Sequence, residues 1–265
     1  MVAACTSSHV APSAGSPDAH VAFPGDAAPG DGAIVVGDGG GDAGDGGVEQ
    51  DYQDLATTIA GAMRATQLQA MTDGVNMAYN DSLPGFTELQ PGELVGARGS
   101  VRYDYMFHCE DQQAHDNFTC GPASDHIHWM ATIDGPVMID TLSFPEYKLT
   151  SHWVIREIYL NKPRVEDTDR LLLTADLAND GTRFQLTIDG TFTHVRLDPQ
   201  PTVPLSGTIA YAITAKRTRS TANPAVRSYT ATANVTFAAG GQATIVLDGT
   251  HTYTVDMATG SVSRL

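Results

Sequence analysis

Apolar residues recur with two different periods along this chain, and the change falls near residue 94. Within residues 51–77, Leu55, Ile59, Ala62, Met63, Thr66 and Ala70 lie near one face at helical spacing. Asp51 and Asp54 stand in the first turn of that helix, where the macrodipole favours acids. Gly74 and residues 80–85 bracket its end. Beyond residue 94 the period is two. Val101, Tyr103, Tyr105 and Phe107 alternate with Arg102, Asp104, Met106 and His108. Ile127, Trp129, Ala131 and Ile133 alternate with His126, His128, Met130 and Thr132. Further inward sets are Leu171, Leu173, Ala175 and Leu177; Phe184, Leu186 and Ile188; and Ile209, Tyr211, Ile213 and Ala215. Tyr229, Ala231, Ala233, Val235 and Phe237 follow, then Ile245 and Leu247, then Tyr253 and Val255. Burial of one face in this way marks antiparallel strands whose other face is wet.

Tight-turn dipeptides punctuate these runs: Asp134-Gly135, Asp180-Gly181, Asp189-Gly190, Gly240-Gly241 and Asp248-Gly249. Asp-Gly favours the turn whose twist matches a hairpin. Residues 187–193 and 246–252 look alike, and a hairpin solution used twice accounts for that better than a duplication. The pattern therefore predicts a mainly β fold with one N-terminal helix. Its strands form a long antiparallel meander of about ten to twelve strands, curling into a curved sheet, half-barrel or barrel. Two packed sheets are the alternative, with the Pro-containing link over residues 198–204 as the place to cross between them.

Composition sets residues 1–48 apart. They are Gly, Ala, Asp, Ser and Pro in the main, with Phe23 the only aromatic residue. Such a segment buries too little apolar surface to offset its chain entropy. A flexible spacer of this length has a root-mean-square span of roughly 35–40 Å. The folded domain is expected over residues 49–265. The chain carries a formal charge of −16, and the seven acidic residues within residues 1–50 face no basic ones. Nucleic acid, whose phosphates demand Lys and Arg clusters, is excluded as a partner. No stretch approaches the roughly 18 apolar residues of a membrane span.

The run Val2-Ala3-Ala4-Cys5, followed by Thr6-Ser7-Ser8, resembles the lipobox of bacterial lipoproteins. The resemblance implies that Cys5 receives a diacylglycerol, that the chain is cut before it, and that the membrane is reached through this lipid anchor. Thr6 stands where inner-membrane lipoproteins carry Asp. The implied address is thus the outer membrane of a Gram-negative cell, with the domain periplasmic or surface-facing. A secretory signal has a basic start and an apolar core of about 7–15 residues. Only Met1 to Ala4 precede Cys5 here, so the reading expects a longer precursor. With Cys5 as lipid acceptor, Cys109 and Cys120 remain as a pair. An oxidising compartment would close them into a disulfide that contributes roughly 3 kcal/mol in the chain-entropy model. Two thiolate metal ligands are the alternative.

One constellation carries candidate chemistry. Four of the nine histidines fall between residues 108 and 128. If Cys109 and Cys120 are bonded, alternation places Met106, His108, His126, His128 and Met130 on one side of a two-stranded ribbon. His108, His126 and His128 are the candidate ligands. Imidazole suits zinc, copper and nickel, and thioethers add a preference for copper. Catalytic signatures are lacking: there is no Gly-x-Ser-x-Gly, His-Glu-x-x-His or Gly-rich nucleotide loop. The leading expectation is a non-catalytic binding or scaffold lipoprotein of the cell envelope, serving a hydrophobic ligand or an envelope protein. A copper- or zinc-binding lipoprotein is the alternative, and a hydrolase built on a carboxylate pair is the weaker one.

Overall fold

The computed structural model describes residues 45–265, apart from 114, 121–123, 141, 161, 179–180, 199–203 and 220–224. Cys5, most of the expected tether, Asp180 and most of the Pro-containing link lie outside the described residues. The helix begins at Asp45, inside the segment read as tether. It runs as α1 (Asp45–Ala62), a π turn over Met63–Gln67, and α2 (Leu68–Asn80). Asp81, in the left-handed region at φ 50°, ends it by donating its N–H to the Met77 carbonyl.

Among the described residues, fourteen antiparallel strands form one sheet. They are β1 (Phe86–Gln90), β2 (Glu93–Arg98), β3 (Val101–Asp111), β4 (Asp116–Asn117), β5 (Ser124–Asp134), β6 (Val137–Ile139) and β7 (Leu142–Arg156). After a 3-10 turn at Ile158–Leu160 come β8 (Arg164–Leu177), β9 (Thr182–Leu197), β10 (Pro204–Arg219) and β11 (Ala225–Ala238). The last are β12 (Gln242–Leu247), β13 (His251–Asp256) and β14 (Val262–Arg264). Each strand of the main path pairs with its neighbour in sequence, while β4 and β6 pair at the side of β3 and β7. The sheet is open, with β1 and β14 at its two edges. The two-sheet alternative does not hold. β9 and β10 pair directly across the Pro-containing link, so the chain changes neither sheet nor layer there.

The inward set expected from the alternation is buried nearly throughout, and the helix covers it. One row of cross-strand partners explains how the helix fits. Tyr105, Ala131, Ser151, Asp169, Gly190, Tyr211 and Ala233 face one another in succession from β3 to β11. Its middle members are small, which leaves space under the helix. Where the row carries polar groups, the helix answers them. Asp73 accepts from the Tyr105 hydroxyl, Gln67 donates to Asp169, and the Tyr211 hydroxyl donates to Gln67. The helix itself is small where it comes closest. A Cβ on Gly74 would stand 2.6 Å from Ile155 Cδ1 and 3.1 Å from the Trp129 ring.

Four readings of the sequence are corrected by the structure. Asp189-Gly190 is not a turn. Both residues lie inside β9, and Gly190 is there because a side chain would collide with Asp169 Oδ1 and the Tyr211 ring. Residues 187–193 and 246–252 therefore do not share a hairpin. Only the second copy turns, with Asp248 and Gly249 both at positive φ. Asp134-Gly135 does not close a hairpin either, since the chain passes through it into the short β6 before β7 begins. Asp51 and Asp54, lastly, do not stand in the first turn, because the helix begins six residues before Asp51, at Asp45; what Asp51 meets is the sheet. Asp51 is 2 % exposed and ion-paired with Arg217 and Arg227 there.

Candidate metal centre on the outward face

The outward side chains of β3, β5 and β7 form rungs across the three strands. Glu110 faces His126, which faces Arg156. The next rung is His108, His128 and Val154, and the next is Met106, Met130 and His152. Alternation alone produces this, because Phe107, Cys109, Ile127 and Trp129 are drawn inward and carry their neighbours outward. The disulfide then holds the ligand-bearing end of β3 in place. Cys109 lies between His108 and Glu110, points into the core, and is bonded to Cys120 with a Cα–Cα distance of 5.5 Å. The Cys120 N–H donates to Asp81 Oδ1 at 3.0 Å, so the same loop is fastened to the end of the helix. The thiolate-ligand alternative falls with this bond, because both sulfurs are used in it.

His108, Glu110 and His128 each offer a ligand atom, and these atoms lie within 4.8 Å of one another. All three side chains are half-buried. The His108 and His128 rings stack at 4.4 Å with 11° between their planes. Glu110 bridges two histidines, with Oε1 at 3.3 Å from His128 Nε2 and Oε2 at 3.1 Å from His126 Nε2. His126 is fastened at its other nitrogen, where Asp125 Oδ2 lies 3.2 Å from Nδ1. Of the three histidines expected from sequence, two converge, and His126 stands behind Glu110 as an outer partner. Glu110 was missed. The signal for it was present, since it shares the parity of His108 two residues on.

Burial, and then the neighbouring His108 and His126 rings, hold the His128 imidazole below its ordinary pKa. It is therefore neutral near pH 7, the form that binds a metal. Two imidazole nitrogens and a carboxylate oxygen suit zinc, copper or nickel. Three protein ligands leave a further position on the ion open to water or another ligand. The Glu110–His126 and His126–Asp125 contacts are outer-shell links of the kind that orient ligands around an ion.

Trp129, Trp153, Tyr103 and Tyr105 are buried in the core, whereas Tyr159 is exposed. Farther along the outward face, a groove of about 630 Å³ is lined by Lys148, Leu172, Gln185, Thr187, Thr214 and Lys216, among others. Comparison with protein-family models, with curated proteins and with solved structures finds no match to this chain.

Proposed function

We propose that this chain is a lipid-tethered, non-catalytic binding protein of the cell envelope whose ligand is a divalent zinc or copper ion. The observation that carries the metal reading is the convergence of His108, Glu110 and His128 within 4.8 Å. The tether rests on the lipobox resemblance of Val2-Ala3-Ala4-Cys5. A hydrophobic ligand on the inward face would have to displace the helix that fills it, whereas the outward face needs no such displacement. The groove beside Lys148 and Lys216 is the surface this reading offers to an envelope protein.

Calorimetric titration of the full chain with zinc is expected to show one site. His108→Ala and His128→Ala should abolish it. His126→Ala, which removes an outer partner, should weaken it by roughly 10–100-fold. A wild-type dissociation constant weaker than about 100 μM, or wild-type affinity in His128→Ala, overturns the metal reading. The anchor is tested separately by labelling a precursor with radioactive palmitate. Label is expected on the wild type and absent from Cys5→Ala; label that survives the substitution refutes the tether.

A further inference from the structure

We infer that the outward face carries a second metal subsite, selective for copper(I), formed by Met106, Met130 and His152. It lies one rung from the first centre and is argued from different residues. Met106 and Met130 are direct cross-strand partners, and Met130 is in turn the partner of His152 on β7. Opposed residues on neighbouring strands hold their Cβ atoms about 4.5–5.5 Å apart. Two thioethers and one imidazole thus meet on a single rung.

Each member is placed as a ligand would be. Met106 is 50 % exposed, so its sulfur contributes little to the core. Met130 is half-buried beside it. The His152 ring is oriented from behind, with Nδ1 at 3.1 Å from Asp167 Oδ2 on β8. That contact directs Nε2 outward as the ligating nitrogen, and among the described residues Nε2 has no partner. A carboxylate holding the far nitrogen of a ligating histidine is the usual outer-shell arrangement at metal sites. The His128 and His152 rings are 6.3 Å apart, which separates this rung from the first centre while keeping the two in contact range.

The chemistry of the rungs grades along the strands. Glu110 gives a hard oxygen at one end, the His108–His128 pair follows, and the Met106–Met130 pair gives soft sulfur at the other. Thioethers select copper(I), whereas carboxylate oxygen suits harder divalent ions. Met side chains are also flexible enough to close around an ion without moving the backbone. The ion binds as copper(I), and no electron is transferred in the step.

The test is an oxygen-free titration of the full chain with copper(I) held by the chromophoric chelator bicinchoninate. No thiol is added, so Cys109–Cys120 stays closed. The wild type is expected to withdraw one equivalent from the chelator. Met106→Leu/Met130→Leu, two substitutions on a wet face, should lose more than the roughly 100-fold that an outer-shell partner costs, and Asp167→Asn should lose about tenfold. His108→Ala should leave copper(I) binding unchanged, and the double Met variant should keep zinc binding. Those outcomes separate this subsite from the first centre, whose failure would appear in the zinc titration instead. Copper(I) affinity unchanged in the double Met variant, or lost in His108→Ala, overturns the inference.

Discussion

Asp51→Ala is expected to cost the fold about 3–5 kcal/mol, the loss seen when one member of a buried ion pair is removed. Asp51 lies on α1, 2 % exposed; its Oδ2 accepts from Arg227 Nη1 at 2.7 Å, and its Oδ1 is ion-paired with Arg217 Nη1. Arg219 Nη2 stands 3.9 Å from the same Oδ1. Arg217 and Arg227 are direct cross-strand partners, so two like charges oppose each other at the end of the inward face. Like charges in that relation are destabilising. Asp51 is what makes the arrangement tolerable, and it does so by docking the helix onto β10 and β11. Its removal leaves Arg217, itself 5 % exposed, charged and without that partner in the core. Urea unfolding measures the change as a lowered midpoint at constant slope. Asp51→Ala/Arg217→Met should recover most of the loss, since an apolar residue of similar volume needs no counter-charge. A cost under about 1 kcal/mol for Asp51→Ala would show that the pair does not hold the helix.

The strands were legible because alternation reports burial directly. Tyr103, Tyr105, Trp129 and Ile133 are inward because one face of the sheet is buried in the core that the helix shares. The turns were less legible, because Asp-Gly describes what a turn tolerates and not where one is needed. At Asp248-Gly249 both residues adopt positive φ and the hairpin forms. At Asp189-Gly190 the same dipeptide is extended, and the glycine answers a crowding problem set by Asp169, twenty-one residues earlier in the chain. No local pattern contains that information. The π turn over Met63–Gln67 was unreadable for a related reason. It shifts the helix register so that Gln67 meets Asp169 and Tyr211, partners supplied by the sheet.

The candidate site divides along the same line. Parity placed His108, His126, His128, Met106 and Met130 on one face, and the rungs have them there. Which of them converge depends on cross-strand register, and this was beyond the sequence. Register sets His108 against His128, and it moves His126 one rung away against Glu110. His152 was out of reach altogether, because nothing in the residues around it shows that β7 lies beside β5. The disulfide followed from the resemblance at Cys5 and a count of three cysteines.

Asp169→Asn is expected to stabilise the protein above pH 7 and to leave it unchanged near pH 4. Asp169 is 6 % exposed beneath the π turn, opposite Ser151 and over Gly190. Burial is the main force that pushes its carboxyl up to about 7; the Gln67 hydrogen bond opposes this, and the charge of Asp189 adds to it. Its Oδ1 is buried with no hydrogen-bond partner among the described residues. In the unfolded chain the same group titrates near 3.9. Below that value both states hold the proton and the aspartate carries no penalty. Between about pH 4 and pH 7 the unfolded chain gives up its proton while the folded protein keeps it, so stability falls as the pH rises. Above the folded pKa both states are ionised and the penalty is complete. At about 1.4 kcal/mol per pH unit over roughly three units, it reaches on the order of 4 kcal/mol. An asparagine keeps the shape and still accepts from Gln67, but it cannot ionise. The difference between wild-type and Asp169→Asn unfolding free energies isolates this residue from every other titrating group. That difference should grow from near zero at pH 4 to its full size by about pH 8. Parallel curves across that range would show that the folded state already accommodates the charge, and that the helix is not held in register by a protonated Asp169.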